Sequence, residues 1–343
     1  MKKLLIATAA LAMVAGTAQA QSSVTIYGAY GNGVTSVKEG GVNKAAQSQN
    51  DARDHLYTTN LGLTGTEDLG GGMSVFFRLE GDLSGNGVLG SNQDYAATKY
   101  GTTTNVFNRQ AHAGLVTKFG TLTVGRQNDS VKDTEGLAQV YNLSDNLANK
   151  TRIGDRIANS VKYAMPVWNG LGATYTTSNN PADAALDAGD STTRHNSFAI
   201  TYKVPVNGGI DVAFAQGKEE ASQAQTGKTT RISARTNVMG DLTVGAAQTT
   251  NQGATSAAKT KQTLVSVNKP FGKIDVKAHY WKNNASDSVG TSTDGLDGNG
   301  YGAMAVYNFS PRTAVYAGYS DFDATSAASK VKVTTAGLVQ TMV

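Results

Sequence analysis

The sequence predicts an all-β fold, a transmembrane antiparallel β-barrel of about 16 strands. Three observations predict it: apolar and polar residues alternate with a period of two, short and long connections alternate along the chain, and the composition is unusual. Charged residues make up 16% of the 343 residues, and 39 glycines accompany only 5 prolines, whereas average proteins contain about 25% charged residues. A mean hydropathy of −0.29 is too polar for a bundle of membrane helices. The chain contains no cysteine, which excludes a disulfide scaffold and thiolate metal sites.

The first twenty residues are typical of a secretory signal peptide. Lys2 and Lys3 precede an apolar run over residues 4–14, and Ala18-Gln19-Ala20 fits the small-x-small cleavage pattern. The run is shorter than the roughly 20 apolar residues that a membrane helix needs, and no later stretch approaches that length. We therefore predict a signal peptide over residues 1–20 and one domain over residues 21–343, which is either exported and soluble or a closed membrane barrel.

The strand prediction depends on residues that alternate between two faces. In residues 73–80, Val75, Phe77 and Leu79 share one face, and Ser74, Arg78 and Glu80 share the other. The same period of two recurs in residues 197–204, 210–215, 231–236 and 274–280. Each such strand has one face suited to lipid and one suited to water.

The connections alternate in length. Short ones carry glycine or proline, and they lie at residues 67–72, 118–120, 166–170, 205–209, 239–241, 270–273 and 310–312. Long polar ones lie at residues 84–105, 127–157, 179–194 and 283–299. In a barrel, this places tight turns on one rim and long loops on the other.

Aromatic residues beside the short turns support a membrane setting, because aromatic belts mark bilayer interfaces. They are Phe119, Tyr163, Trp168, Phe271, Tyr307 and Phe309. A soluble β-sandwich is the alternative, although sandwiches rarely keep one alternation of long and short connections over such a length.

Several segments resemble the general porins of Gram-negative β-proteobacteria, of the Neisseria, Bordetella and Burkholderia type. The segments are residues 21–28 (QSSVTIYG), 61–72 (LGLTGTEDLGGG), 77–80 (FRLE), 107–111 (FNRQA), 118–127 (KFGTLTVGRQ) and 159–163 (NSVKY). The resemblance covers essentially all of residues 21–343. It implies a homotrimer of 16-stranded barrels in the outer membrane, with the third extracellular loop folded into the lumen to form a constriction. It also implies passive diffusion of small hydrophilic solutes and ions.

Two positions depart from the family. The chain ends in Val343, where the family closes its last strand with Phe, and Asn60 replaces a basic residue that commonly faces the pore. We expect the loss of this basic residue to weaken the positive side of the constriction.

By resemblance, the connection 127–157 is the constriction loop, and charged residues on it and on the strands around it are the candidate constriction residues. They are Arg78, Glu80, Arg109, Arg126, Asp129, Asp133, Glu135, Arg152, Arg156 and Lys162. Strand phase turns Arg78 and Lys162 toward the lumen. Arg156 shares the phase of Lys162, so we predict that it also points inward.

Two of these arginines are harder to place. Arg109 shares parity with Ala111, which is lipid-facing, so it reaches the lumen only if a bulge intervenes or if the strand has not yet entered the membrane. Arg126 presents the same difficulty. Resemblance favours a lumen role for Arg109.

The excess of basic residues on the wall predicts a weak preference for anions. The chain shows no metal, cofactor or catalytic signature, because His55, His112, His195 and His279 have no ligand-like spacing and no defensible Ser or carboxylate constellation. We therefore predict no enzyme and no cofactor. Dispersed Lys and Arg give no support for nucleic-acid binding.

The predicted partners are two further copies of the chain, outer-membrane lipid, and small hydrophilic solutes and ions. Two alternatives remain open: a channel tuned to one solute class, or a barrel that serves mainly as a structural or adhesive surface protein.

Overall fold

The computed structural model describes residues 23–43, 47–49, 59–83, 89, 106–138, 156–179, 192–206, 208–221, 226–252, 259–286, 297–326 and 330–342. The strands are β1 (Ser23–Glu39), β2 (Val42–Asn43), β3 (Gln47–Gln49), β4 (Asn60–Gly70), β5 (Met73–Asp82), β6 (Gln110–Thr117), β7 (Gly120–Asn128), β8 (Arg156–Ala164), β9 (Leu171–Ser178), β10 (Thr192–Val204), β11 (Ile210–Ala221), β12 (Thr226–Val238), β13 (Leu242–Gln252), β14 (Lys259–Phe271), β15 (Ile274–Ser286), β16 (Gly298–Ser310), β17 (Thr313–Ala324) and β18 (Val331–Met342). A 3₁₀ helix spans Lys132–Leu137.

The strands form one closed antiparallel sheet. β1 pairs with β18 on one side and with β4 on the other, so the first and last strands close the ring. β2 and β3, of 2 and 3 residues, are short additions that also pair with β1. The other strands form the predicted barrel of 16, and this prediction is confirmed. Among the described residues, no helix is long and apolar enough to cross a membrane.

Exposure alternates along the strands as a barrel requires. On β12, Ile232 is 58% exposed, whereas its neighbour Ser233 is 2% exposed. On β14, Val265 is 42% exposed and Ser266 is 1% exposed. The apolar face therefore points outward and the polar face points into the barrel.

Tight turns join the strands at one rim. Gly71, Gly240 and Gly272 adopt φ values of 63°, 83° and 63°, which favour glycine. Aromatic side chains beside this rim are strongly exposed, including Phe119 at 72% and Trp168 at 67%. This is the distribution that an interfacial belt requires.

The last strand, β18, is paired on both sides although the sequence does not end in Phe. β18 pairs with β1 from Val331 to Met342 and with β17 from Val331 to Gln340. Barrel closure is thus made by backbone hydrogen bonds that do not depend on the terminal side chain.

A bulge interrupts the pairing of β7 with β8. Gly125 pairs with Ser160 and Gln127 pairs with Ile157, which leaves two residues of β8 opposite Arg126. One of them, Asn159, has a φ of 49°. An extra residue interrupts the alternation, so strand phase alone does not determine the side on which Arg156 lies, and its inward direction stays a prediction.

Candidate functional site

A network of ion pairs lies on the inward face of β1, β5 and the residues before β6. We call it the ion-pair wall, and it comprises Tyr27, Arg78, Glu80, Asp82 and Arg109. Glu80 is only 1% exposed. Its carboxylate accepts hydrogen bonds from the Tyr27 hydroxyl at 2.8 Å, from Arg78 Nη2 at 2.6 Å and from Arg109 Nε at 2.5 Å. A buried carboxylate is stable here because three donors replace its water.

Arg109 reaches this network because it lies just before β6, which begins at Gln110. Its backbone N–H donates to the Glu80 carbonyl at 3.0 Å, and its Nη1 donates to Asp82 Oδ1 at 2.8 Å. Burial lowers the pKa of the Arg109 guanidinium, but the carboxylates of Asp82 and Glu80 raise it by a larger amount. The net pKa is therefore above the ordinary value. Arg109 thus contacts Glu80 and Asp82 from a position just outside β6.

Arg126 supports the same corner from β7. Its Nε donates to the Asn108 carbonyl at 2.7 Å, and the Asn108 amide donates to Asp82 Oδ2 at 3.0 Å. Arg126 therefore fixes the backbone that carries Arg109.

Arg78 is the charged member of the ion-pair wall that is most open to solvent. Its side chain is 41% exposed, whereas that of its partner Glu80 is 2% exposed. Its Nε donates to the Tyr27 hydroxyl at 2.7 Å and its guanidinium lies 5.0 Å from the Tyr27 ring centroid. The most exposed charge of this wall is therefore positive.

After β7 the chain turns onto the opposite wall. Residues 129–138, the loop segment, contact small inward-facing side chains of β9 to β14. We call these the loop-binding wall: Thr176, Ser197, Ser233, Gly245 and Ser266.

The hydrogen bonds follow the loop segment along this wall. Ser130 N donates to Ser197 Oγ at 3.1 Å, and the Ser130 hydroxyl bonds that of Thr176 at 3.0 Å. Further along, Ser233 Oγ donates to the Thr134 carbonyl at 3.4 Å. Ser266 Oγ donates to the last carbonyl, that of Ala138. The segment thus runs across the polar inner faces of four strands.

Apolar contacts, and a glycine on β13, also let the loop segment pack closely against the loop-binding wall. Val131 packs against Ala199 and Ala215, and Ala138 packs in a cluster with Trp281. A Cβ at Gly245 would lie 2.9 Å from Ala138 Cα. Only a residue without a side chain lets the segment approach β13 this closely.

The acidic residues of the loop segment have nearby basic partners. Asp133 forms an ion pair with Lys162, whose Nζ also donates to the Asn128 carbonyl at 3.2 Å. Glu135 lies 3.4 Å from Lys132 Nζ. Lys162 thus ties the loop segment to β8.

Asp129 differs from these two because it is fully buried, with 0% exposure. Its Oδ1 accepts the Lys132 backbone N–H at 2.7 Å. Its Oδ2 lies 3.3 Å from His195 Nε2, and His195 Nδ1 lies 3.2 Å from Glu219 Oε1.

The structure therefore brings Arg78, Glu80 and Arg109 together on one wall and Asp129, Asp133 and Glu135 together on the loop segment. Lys162 joins the loop segment, and Arg126 supports the ion-pair wall. Arg156 begins β8 opposite Asn128, and Arg152 lies outside the described residues.

Sequence reasoning missed Tyr27, Asp82 and His195. Tyr27 and Asp82 belong to strands whose inward phase could have been read from their neighbours. His195 contacts residues that are remote in sequence, so no local spacing of residues indicates its role. Within the described ranges, no group of three or more His, Asp or Glu is arranged to hold a metal ion.

The chain is similar to known outer-membrane proteins. A family model described as Gram-negative porin matches residues 7–327. An outer membrane porin protein of Bordetella pertussis is 32% identical over 247 residues, and the match covers 66% of this chain and 61% of that protein. Major outer membrane protein P.IB of Neisseria meningitidis serogroup B is 29% identical over 232 residues, with the same coverage of 66% and 61%. The chain thus matches about three fifths of the length of these relatives.

Solved structures share the fold. An anion-selective porin from Comamonas acidovorans superposes with a TM-score of 0.70 at 20% identity, covering 94% of this chain and 100% of that one. An OmpF structure from Salmonella typhi gives a TM-score of 0.67 at 13% identity, covering 93% and 97%. At these sequence identities, the solved structures show only that the fold is shared. Membership of the family is shown by the match of the sequence to the family model. This chain belongs to the Gram-negative porin family, and it is an outer-membrane β-barrel.

Proposed function

We propose that the protein is a passive diffusion channel for small hydrophilic solutes and ions across the outer membrane, with a weak preference for anions. The observation that carries this proposal is the closed barrel of 16 long strands with a polar inner face. A barrel of this size leaves an aqueous lumen rather than a packed interior. The channel acts without catalysis and without a cofactor.

The candidate constriction lies between the ion-pair wall and the loop segment. We propose that Arg78, Glu80, Arg109, Arg126, Asp129, Asp133, Glu135, Arg152, Arg156 and Lys162 surround or support it. The separation of opposite charges across this gap creates a transverse field, which salt screens over about 8–10 Å.

The anion preference follows from unequal exposure of paired charges. Arg78 is open to the lumen while Glu80 is buried beneath it, so permeating ions meet the guanidinium first. Exposed Arg and Lys in a pore favour anions. Because Lys162 and Arg78 face acidic partners, the preference is weak rather than absolute. The anion-selective porin that shares this fold supports the proposal.

We further propose a homotrimer, with the signal peptide of residues 1–20 removed on export. A Vibrio cholerae barrel of the same fold is described in a trimer form. Chemical crosslinking of the purified protein in detergent tests this state, and a band at three times the monomer mass is the expected product.

Conductance in planar bilayers under a salt gradient tests the function. We expect open pores whose reversal potential shows a modest excess of anion current. A clear cation preference would contradict the ionic part of the proposal, and absence of conductance would favour a structural or adhesive role. Liposome swelling with sugars, amino acids and organic anions separates a general channel, which sorts solutes by size, from a solute-specific one, which saturates.

A further inference from the structure

His195 is a buried side chain between two carboxylates, on the inward face of β10. Its side chain is 0% exposed. Its Nε2 lies 3.3 Å from Asp129 Oδ2 on the loop segment, and its Nδ1 lies 3.2 Å from Glu219 Oε1. Glu219 is the residue directly opposite His195 on β11. The imidazole thus links the loop segment to two strands of the barrel.

The protonated ring is the form of His195 that carries an N–H on the side of each carboxylate. A neutral imidazole has one N–H donor, whereas imidazolium has two. Each ring nitrogen here faces a carboxylate oxygen, and the Asp129 side chain is fully buried. A buried carboxylate without a donor is strongly unfavourable. A cationic ring suits this position, because it hydrogen-bonds Glu219 through Nδ1 and forms an ion pair with Asp129 through Nε2.

The bridge lies where the loop segment leaves the strand. Asp129 directly follows β7, which ends at Asn128. The other oxygen of the same carboxylate accepts the Lys132 backbone N–H at 2.7 Å, and Lys132 is the first residue of the 3₁₀ helix. One carboxylate therefore fixes both the direction of the segment and the start of its helix.

Two of the contacts farther along the segment are weaker. Ser233 and Arg235 each donate to a loop carbonyl at 3.4 Å, which is long for a hydrogen bond. Lys162 and Asp133 form an ion pair, but that pair holds the segment toward β8 rather than toward β10 and β11. The His195 bridge adds an ion pair with a buried carboxylate of the segment to the neutral hydrogen bonds that Ser130 and Ala138 make with the same wall.

We propose that His195 is a positioning residue that anchors the loop segment to β10 and β11 and thereby keeps the constriction at a constant width. This inference rests on the proposed channel function. His195 does not need to touch permeating solutes, because it acts through Asp129.

The test is single-channel recording of His195→Gln in planar bilayers. Gln keeps a hydrogen-bonding side chain but cannot carry the positive charge that bridges both carboxylates. We expect open-channel current noise to rise, and the time spent in low-conductance substates to increase about tenfold, as for the loss of one buried charged hydrogen bond. Asp129→Asn breaks the same bridge from the loop side, outside the barrel strands, and it decides the question if His195→Gln does not fold.

A disulfide provides the rescue. The chain has no cysteine, and Val131 shares a buried apolar cluster with Ala215, so we choose Val131→Cys with Ala215→Cys as the pair to tie the loop segment to β11. In the His195→Gln background, we expect the oxidised cysteine pair to lower the open-channel current noise to the wild-type level. Addition of a reductant should raise the noise again. A role of His195 in barrel stability alone would not respond to this tether.

Asp241→Asn is the matched control, because it removes an ion pair with Lys269 in a short turn away from the loop segment. It should leave the current noise unchanged. A folded His195→Gln or Asp129→Asn channel as quiet as the wild type would overturn the anchor, as would noise that persists after the tether forms. If the wild-type protein itself does not conduct, the channel proposal fails instead, so the two failures are distinguishable.

Discussion

The two sides of the lumen differ in the residues that they carry and in what those residues contact. The ion-pair wall concentrates Arg78, Glu80 and Arg109 in one network around a carboxylate that is 1% exposed. The loop-binding wall instead presents Ser, Thr and Gly, which leave room for a chain segment and donate to its carbonyls. A wall that faces open water can keep charge, because water and counterions solvate the outer members of the network. A wall that receives backbone needs small side chains with hydroxyl donors, because buried carbonyls require partners.

This difference predicts opposite sensitivities. The ion-pair wall should be sensitive to the removal of a charged group, since each partner left behind is partly buried. The loop-binding wall should be sensitive to added volume, since the loop segment fits against it without spare room.

The largest effect is expected from Glu80→Gln. This change leaves Arg78 and Arg109 without their shared carboxylate, and breaking a buried ion pair from one side destabilises by about 3 kcal/mol or more. We expect a lower temperature of barrel unfolding and a stronger anion preference in the reversal potential. Glu67→Gln, at an exposed position of β4, is the control and should change neither. Equal behaviour of the two variants would mean that the network does not stabilise the wall.

A smaller effect is expected from Gly245→Ala on the opposite wall. The new methyl group would lie 2.9 Å from both Ala138 Cα and the Leu137 carbonyl oxygen, so the backbone of the loop segment must move toward the lumen. Overpacking of this kind destabilises by about 1–3 kcal/mol, and we expect lower single-channel conductance. Gly136→Ala adds the same methyl group to the loop segment with no atom within 4 Å. Its conductance should equal that of the wild type, and an unchanged Gly245→Ala channel would show that the segment does not border the pore.

The barrel could be predicted from the sequence because its determinants are local. A period of two requires only neighbouring residues, and the inward phase of Arg78 and Glu80 follows from their separation by two positions on β5. In a barrel only alternate residues meet lipid, which is why a chain with 39% hydrophobic residues can span a membrane.

The rest of the site depends on events that local patterns do not encode. Arg109 joins Glu80 from a position just before β6, and one extra residue in β8 interrupts the alternation from which the direction of Arg156 was predicted. The sequence around His195 gives no sign of its contacts, because its partners are distant in sequence and Glu219 alone is 24 residues away. Strand boundaries, bulges and long-range contacts are set by tertiary packing, so periodicity could indicate the wall but not the assembled network.

The next effect in size is expected from Lys162→Glu, which tests the link between the two walls. Lys162 is the basic partner of Asp133, and its side chain is 13% exposed. Reversal of its charge places two carboxylates side by side and replaces a cation beside the candidate constriction with an anion. We expect the reversal potential to shift toward cations, whereas Lys162→Arg, which keeps the charge, should leave it near the wild-type value. A shift in the arginine variant as large as that in the glutamate variant would point to altered packing rather than altered charge.

The smallest shift is expected from Arg156→Glu, which makes the same charge change on the same strand but beyond the bulge. The bulge interrupts the alternation, so residue 156 is expected to lie farther from permeating ions than residue 162. Its charge should therefore affect ion selectivity less, because Coulomb interactions weaken with distance and are screened in salt water. We therefore expect a shift toward cations that is smaller than that of Lys162→Glu. Arg312→Glu, in the short turn between β16 and β17 at the other rim, controls for the change in net charge. A shift no larger than this control would remove Arg156 from the constriction, and one equal to that of Lys162→Glu would mean that the bulge leaves its side chain in the pore.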